Sequence, residues 1–148
     1  MEKCVIVEKL PTAEEYNWLR SLVGWSTYQE SVIENALPNT LYCVCAYRGD
    51  ALVGMARIIG DGGMVYYIQD VIVIPDYQRQ GIGTQMMDMI MVYIRLHASQ
   101  NSIIGLMSAL GKEAFYEKYG FKIRPTEKYG AGMTIGGGWC LPSTHGRL

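Results

Sequence analysis

Among its 148 residues the chain lacks any apolar run that approaches the ~20 residues of a membrane-spanning helix. It also lacks a strong charge of either sign, because 13 Lys and Arg residues stand against 14 Asp and Glu residues and the net charge is −1. This balance argues against the basic surface that nucleic-acid-binding proteins use. We therefore predict a single domain over residues 1–148, with no nucleic-acid partner and no membrane partner.

Cysteine and histidine are scarce, with four and two residues respectively. Four cysteines could form disulfides, but Met1-Glu2-Lys3-Cys4 is not followed by the apolar segment of a secretory signal. A chain with enough apolar residues for a full core and no export signal is expected to be cytoplasmic, with free thiols. His97 falls in a predicted helix and His145 in the tail, so we predict no metal site.

The most informative segment runs from Asp70 to Thr84. It begins with Val71–Ile74, an apolar and β-branched run that is typical of a buried strand. From Gly81 onward the apolar residues recur at helical spacing. Gly81 and Gly83 allow the backbone to approach a ligand closely, and the first turn of a helix has N–H groups without partners inside the helix. The segment therefore predicts an anion site, most naturally for a phosphate.

The spacing of the glycines narrows the choice of ligand. A dinucleotide fingerprint needs a third glycine where Met86 stands, and the other common phosphate loop needs Ser or Thr where Glu113 follows Gly111-Lys112. Residues 78–83 instead fit the order Gln or Arg, two residues, Gly, one residue, Gly or Ala. This resembles the acetyl-CoA pyrophosphate loop of the GNAT superfamily of N-acetyltransferases. The alternative is an ordinary turn between a strand and a helix.

A second segment supports the same resemblance. Phe115-Tyr116 and Gly120-Phe121 are similar to the helix end that GNAT enzymes carry after the loop, and Gly120 suits the left-handed position beyond a helix. The alternative is an amphipathic helix with core aromatic residues. The resemblance spans roughly residues 40–135. It implies an α/β (α+β) fold with a mixed, mostly antiparallel central sheet flanked by helices, and acetyl-CoA inserted between two diverging parallel strands.

The rest of the sequence predicts alternating helices and strands. Thr12 and Glu15 form a capping-box pattern, which begins a helix that runs to about Val23. The other predicted elements are strands over 4–8, 41–47, 51–59, 64–74, 103–107, 121–124 and 133–136, and helices over 28–36, 81–98 and 111–119. The tail from 136 to 148 has Trp139 and Leu141 without an obvious core position, so we predict a homodimer that the late strands or the tail hold together.

The GNAT resemblance implies transfer of an acetyl group from acetyl-CoA to the amine of a small molecule, by direct attack in a ternary complex. The amine must lose a proton, the thioester carbonyl must be polarised and the departing thiolate must be protonated. Backbone N–H groups of Val71, Ile72 and Val73 suit the carbonyl if a bulge turns them toward the cofactor. The residues expected at the pyrophosphate are Gln78, Arg79, Gln80, Gly81, Ile82, Gly83 and Thr84.

By resemblance, Tyr116 is the acid that protonates the thiolate, and it contacts the cofactor. The alternative is a buried aromatic residue bonded to a backbone carbonyl. Asp70 is the one carboxylate in the otherwise apolar run from 64 to 74. A carboxylate in a buried strand is costly, so its presence there indicates a structural or functional role. Asp70 is a candidate base or amine-binding anion, and alternatively a cap on a neighbouring loop or strand.

Gln69 stands where several GNAT relatives carry an ionisable group. A glutamine cannot take up a proton, although it can order a water. Alternation along the strand puts Gln69 and Val71 on one face and Asp70 on the other. The residues expected to line the pocket for the amine are Trp25, Tyr28, Tyr67 and Gln69.

Within the superfamily, the chain resembles most the branch that contains plant serotonin acetyltransferases and unassigned bacterial relatives. Four pieces carry this resemblance: Leu22-Val23-Gly24-Trp25, Gly54-Met55-Ala56-Arg57, Gln69-Asp70-Val71-Ile72-Val73 and Gly130-Ala131-Gly132-Met133. Two other functions stay open. One is a non-catalytic acetyl-CoA-binding sensor or regulatory module, which Gln69 favours, and the other is a protein-lysine acetyltransferase.

Overall fold

The computed structural model describes residues 2–135. The chain divides into two compact units, one that ends at Met107 and one that begins at Ser108. Among the described residues, the first unit holds five strands and three α-helices, and the second unit holds one short α-helix. None of the helices within residues 2–135 is both long and apolar enough to cross a membrane.

The five strands form one sheet. They are β1 (Cys4–Glu8), β2 (Tyr42–Arg48), β3 (Ala51–Gly60), β4 (Val65–Val73) and β5 (Ile103–Leu106). Their order in the sheet is the order of the sequence, and neighbouring strands from β1 to β4 are antiparallel. β5 pairs with β4 in parallel. The predicted mixed, mostly antiparallel sheet is therefore confirmed.

The helices begin and end close to their predicted bounds. They are α1 (Ala13–Leu22), α2 (Glu30–Ala36) and α3 (Ile82–His97) in the first unit, and α4 (Glu113–Glu117) in the second. The predicted capping box is present at α1. The Glu15 N–H donates to Thr12 Oγ1 at 3.1 Å, and the Thr12 N–H donates to Glu15 Oε1 at 3.0 Å. Both bonds satisfy N–H groups that the first helical turn would otherwise leave unpaired.

Different helices cover the two faces of the sheet. Met55 of β3 belongs to a buried cluster with Leu19 of α1 and Ile33 of α2. The preceding residue, Gly54, points to the opposite face, where an added Cβ would stand 3.2 Å from Met86 Cε of α3. α1 and α2 thus pack on one face of the sheet, and α3 packs on the other.

β4 contains a β-bulge. Met55 pairs with Ile72 and Arg57 pairs with Gln69, so that two residues of β4 lie opposite one residue of β3. Asp70 is one of the two bulge residues. Its φ of 54° is a left-handed backbone conformation that non-glycine residues rarely adopt.

The bulge reverses the alternation of β4, so that the side chains after it point to the opposite faces of the sheet from those that strict alternation predicts. Before it, Tyr66 points toward α3, because the Tyr66 hydroxyl donates to the His97 carbonyl at 3.2 Å. After it, Ile72 packs with α1 and α2, although strict alternation would put both residues on one face. The prediction that Gln69 and Asp70 lie on opposite faces is therefore wrong. The extra residue of the bulge turns both side chains to the α1–α2 face, where the Gln69 Nε2 lies 3.4 Å from Asp70 Oδ1.

Two predicted strands are wrong. Residues 121–124 and 133–135 have irregular backbone, and α4 is shorter than the helix predicted over 111–119. Apolar residues two apart, such as Phe121 and Ile123, can suggest a strand, but a strand forms only where a neighbour satisfies its backbone groups. Residue 136 and the tail with Trp139 and Leu141, on which the predicted dimer contact depended, lie outside the described residues.

Candidate active site

The chain turns sharply between β4 and α3, and its own side chains fix the turn. One turn of 3-10 helix over Pro75–Tyr77 follows β4. The Gln78 Nε2 then donates to the Val73 carbonyl at 2.8 Å, and the Gln80 Nε2 donates to the Asp76 carbonyl at 3.3 Å. These bonds to the turn's own backbone hold the loop over residues 78–84 in one shape.

Two residues of this loop have left-handed backbone conformations. Arg79 has a φ of 61°, and Gly81, the N-cap of α3, has a φ of 83°. An added Cβ at Gly81 would meet only Gln85 Nε2 within 4 Å, at 3.9 Å, so the conformation rather than the space calls for glycine. The Gln85 N–H donates to the Gly81 carbonyl at 3.0 Å. In general the N–H groups of a helix's first turn have no carbonyl partner four residues back in the helix, which makes such a turn suited to an anion.

The pairing of the two parallel strands ends beside the bulge. β5 pairs with β4 over Val65–Ile68, and the last pair joins Ile68 and Leu106. From Gln69 to Val73, β4 keeps its partner β3 but has no paired residue in β5. Alternate backbone groups of this stretch, which includes the predicted Val71–Val73, point away from β3 toward the side that β5 leaves.

Asp70 lies in a buried ion cluster, a name we use for Tyr16, Arg20, Arg57 and Asp70. The Asp70 Oδ2 accepts hydrogen bonds of 2.8 Å from the Tyr16 hydroxyl and 2.8 Å from Arg57 Nε. The Asp70 Oδ1 accepts one of 3.1 Å from Arg20 Nη1. The Asp70 side chain has 0% exposure, while the two arginine side chains keep 10% and 11%. A buried carboxylate is thus paired on both of its oxygens, as burial of a charge requires.

Aromatic rings and polar groups hold the two arginines in place. The Arg20 Nε donates to the Ser26 carbonyl at 2.6 Å, and the Arg20 guanidinium carbon lies 5.3 Å from the Trp25 ring centre and 4.9 Å from that of Tyr28. The Arg57 Nη1 donates to Thr40 Oγ1 at 3.1 Å. Trp25 and Tyr28, which we predicted for the amine pocket, therefore contact an arginine of the ion cluster.

The electrostatics of the cluster follow from burial and from its one carboxylate. Burial raises the pKa of Tyr16 to about 12, and the adjacent Asp70 carboxylate acts in the same direction. Burial alone would lower the pKa of Arg57, but its hydrogen bond with Asp70 and the opposite charge outweigh burial and raise it. At neutral pH Tyr16 is therefore an uncharged donor and Arg57 is a cation.

These contacts bear on the two interpretations of Asp70. A base must reach the amine proton, whereas the Asp70 carboxylate is fully covered and already accepts bonds from four side chains. The geometry favours the second interpretation, in which Asp70 ties α1 and β3 to the bulge. Arg20 and Arg57 were not among the predicted site residues. Arg57 could have been identified from the sequence, because it is the one charged residue in the apolar strand over 51–60.

Tyr67 and Gln69 are both half-buried on the α1–α2 face, next to the ion cluster. Gln69 lies directly across from Arg57 in the sheet, and Tyr67 lies beside Gly105 of β5. Burial raises the pKa of Tyr67. The structure thus gathers the predicted amine-pocket residues of β4 and of the segment after α1 around one cationic cluster.

Tyr116 lies in the second unit, on α4. It is buried, and its ring makes edge contacts with Phe115 and Phe121 at centroid distances of 5.1 Å and 6.4 Å. Burial raises the pKa of Tyr116, so that the phenol carries its proton at neutral pH. This is the protonation state that an acid needs.

Two other features of the described residues were considered as sites, a cavity and a possible metal-ligand group. An open cavity of about 640 Å³ lies beside α1 and the start of β3, where Glu14, Trp18 and Leu52 are among its lining residues. It includes none of the predicted site residues. Within residues 2–135, no three His, Cys, Asp or Glu side chains are grouped as metal ligands are.

Comparisons with known proteins show the family to which this fold belongs. Residues 39–123 match the family described as the acetyltransferase (GNAT) domain. An uncharacterized N-acetyltransferase, ycf52-like, from Prochlorococcus marinus is 29% identical over 115 residues. The match covers 75% of this chain but only 63% of that relative, so the chain spans less than two thirds of the relative's length.

Two solved structures are similar over most of the chain. One is a protein of unknown function from meticillin-resistant Staphylococcus aureus, described as a probable acetyltransferase. It is 36% identical with a TM-score of 0.83, and the match covers 90% of this chain and 99% of that one. The other is an acetyltransferase of the GNAT family from Streptococcus pneumoniae. It is 30% identical with a TM-score of 0.75, and the match covers 90% of this chain and 98% of that one.

Proposed function

The chain belongs to the GNAT family of acetyltransferases, and from this we propose that it moves the acetyl group of acetyl-CoA to the amine of a small molecule, by direct attack in a ternary complex. The observation that carries the proposal is the sequence of features along one stretch of chain. A bulged strand leads through a tight loop into the N-terminus of α3. A backbone suited to polarise a carbonyl and a helix N-terminus suited to an anion would therefore follow one another within residues 70–84.

The pyrophosphate of acetyl-CoA would bind at the start of α3. Gln78–Thr84 supply backbone N–H groups there, and the dipole of α3, which has 16 residues, adds a partial positive charge. Ile82 is buried, so its contribution comes from the backbone alone. The backbone of Val71–Val73 would hold the pantetheine arm and polarise the thioester carbonyl, because it begins within the bulge and points partly away from β3.

Tyr116 would protonate the thiolate as it leaves, since it carries a proton at neutral pH. The amine would lose its proton to solvent through a water ordered by Gln69, and not directly to Asp70, whose oxygens are already engaged. Asp70 would act as a positioning residue that holds the bulge in its left-handed conformation.

One alternative has an observation in its favour. A non-catalytic acetyl-CoA-binding module needs no base, and neither Gln69 nor the covered Asp70 is an obvious one. Membership of the branch with plant serotonin acetyltransferases, a cytoplasmic location and a homodimer stay predictions. Trp25 and Tyr28 are less available to line an amine pocket than the sequence suggested, because both rings contact Arg20.

Thiol release from acetyl-CoA tests the proposed function. The panel holds aromatic amines, polyamines, amino acids, aminoglycosides and a lysine peptide side by side. We expect saturable release with at least one small amine above the rate of hydrolysis. Release with the lysine peptide alone would favour protein acetylation. Cofactor binding without release across the whole panel would favour the non-catalytic module.

A further inference from the structure

We propose that the acceptor of this acetyltransferase carries an anionic group beside its amine, and that the buried ion cluster binds this group. The proposal rests on the function proposed above and names its substrate class. The cluster holds two guanidinium groups, of Arg20 and Arg57, against the single carboxylate of Asp70. One positive charge is therefore left over in a mostly buried place, where its electrostatic influence is stronger than in water.

The other contacts of the cluster do not cancel this charge. Arg57 makes its further bond with the neutral hydroxyl of Thr40, and Arg20 makes its own with the neutral carbonyl of Ser26. The rings of Trp25 and Tyr28 stabilise the Arg20 cation without neutralising it. Tyr16 remains uncharged, since its pKa is raised to about 12.

Exposure decides which sign of charge a ligand would meet. The Asp70 side chain has no exposed area, whereas Arg20 and Arg57 each keep about a tenth of theirs. The area that solvent or a ligand can touch therefore belongs to the two arginine side chains and not to the carboxylate. Guanidinium is the side-chain group best matched to carboxylate and phosphate oxygens.

The cluster also lies beside the place where the acetyl group would be transferred. Gln69 pairs with Arg57 across the sheet and contacts Asp70, and Asp70 itself is a residue of the bulge. An amine placed at the bulge would have its neighbouring substituent next to the exposed edges of the arginines. A carboxylate or phosphate there would be attracted, and a polyamine would be repelled.

Matched acceptor pairs test the proposal on the unaltered protein. Each pair shares a skeleton and differs in one group: tyramine with tyrosine and propylamine with β-alanine for a carboxylate, and ethanolamine with O-phosphoethanolamine for a phosphate. We expect kcat/KM of the anionic member to exceed that of its neutral partner at least about tenfold in one class, which identifies the anion. Equal or better turnover of the neutral members would overturn the proposal.

Binding of acids that lack an amine separates this proposal from the proposed function. Calorimetry on the CoA-bound protein compares 3-(4-hydroxyphenyl)propionate with its neutral amide, and inorganic phosphate with sulfamide. We expect the anion of one pair to bind at least about tenfold more tightly. Selective anion binding without turnover of any amine would support the anion site and defeat the transferase. Equal binding, or no binding of either anion, would overturn the anion site whatever the turnover.

Variants of Arg57 test whether the ion cluster causes the preference for anionic acceptors. Arg57→Gln removes the charge and Arg57→Lys keeps it. We expect the anionic-to-neutral ratio of kcat/KM to fall about tenfold in Arg57→Gln and to be largely kept in Arg57→Lys. An unchanged ratio in a folded Arg57→Gln protein would contradict the assignment. If that variant does not fold, the acid-binding comparison on the unaltered protein decides.

Discussion

Arg57 and Asp70 join β3 to the bulge of β4, because the Arg57 Nε donates a 2.8 Å hydrogen bond to the Asp70 Oδ2. The acceptor of this bond stands on a residue with a φ of 54°. A left-handed residue inside a strand is costly unless its surroundings fix it. Bonds from Tyr16, Arg20 and Arg57 give the Asp70 carboxylate three such fixed contacts.

Replacement of Asp70 by Asn tests its role. Asn tolerates the left-handed backbone, so the change removes mainly the charge. Because two buried arginines lose their counter-ion, we expect the free energy of unfolding to fall by about 3–5 kcal/mol, measured by urea denaturation. A positioning role predicts this loss with turnover of the folded fraction much less affected. A base role instead predicts turnover lower by ~10²–10⁴-fold and a flatter alkaline limb of the pH profile.

Replacement of Gly81 by Val tests the pyrophosphate site. A β-branched side chain is strained at a φ of 83° and would stand where the phosphate is proposed to bind, so acetyl-CoA affinity should fall at least about tenfold by calorimetry. Gly83→Val is expected to act similarly. Gly62→Val is the matched control, because Gly62 has a φ of 80° but lies in the turn before β4, at the other end of that strand. Equal affinity in all three variants and the wild type would contradict the site.

Replacement of Tyr116 by Phe tests the acid. The ring and its edge contacts with Phe115 and Phe121 stay, while the proton is lost. The turnover rate should fall ~10²–10⁴-fold, and cofactor affinity should change little, because the hydroxyl matters as charge develops on sulfur. Phe115→Leu on the same helix serves as a control for packing. Wild-type turnover in Tyr116→Phe would show that Tyr116 is a packing residue.

The hydrogen bonds of Asp61 predict how the free energy of unfolding depends on pH. The Asp61 Oδ1 accepts bonds from the N–H groups of Val65, Gly63 and Met64, which hold the pKa of this carboxyl below its usual value. The folded state thus binds this proton less readily than the unfolded chain, so the stabilisation is complete above about pH 4 and disappears as the pH falls below it. The difference in unfolding free energy between wild type and Asp61→Asn should shrink over that range. A difference independent of pH would contradict the assignment.

Most of the fold could be predicted from local sequence patterns. The strands predicted over 41–47 and 51–59 correspond to β2 and β3, which form an antiparallel hairpin, and Gly49 in the turn between them has a φ of 59°. Thr12 and Glu15 likewise predicted the start of α1, because a capping box lies within four consecutive residues. These features depend on neighbours in the chain, which is why sequence patterns reveal them.

The bulge and the ion cluster could not be predicted in the same way. Tyr16 and Asp70 are 54 positions apart, and Arg20 and Asp70 are 50 apart. The left-handed backbone of Asp70 is supported by those distant side chains and by the register with β3, and nothing in the residues next to it indicates this. The prediction of side-chain faces from strand alternation was therefore wrong at this point of β4, where the candidate site lies.

The bulge also determines how β4 can change without loss of the fold. Before it, Tyr66 and Ile68 belong to the α3 layer, and after it Ile72 and Ile74 belong to the α1–α2 layer. Deletion of a single bulge residue would send Ile72 into the wrong layer, whereas substitutions on either side affect only one layer. Substitutions keep the number of residues in the bulge, so they leave the later residues of β4 on the faces that they now occupy.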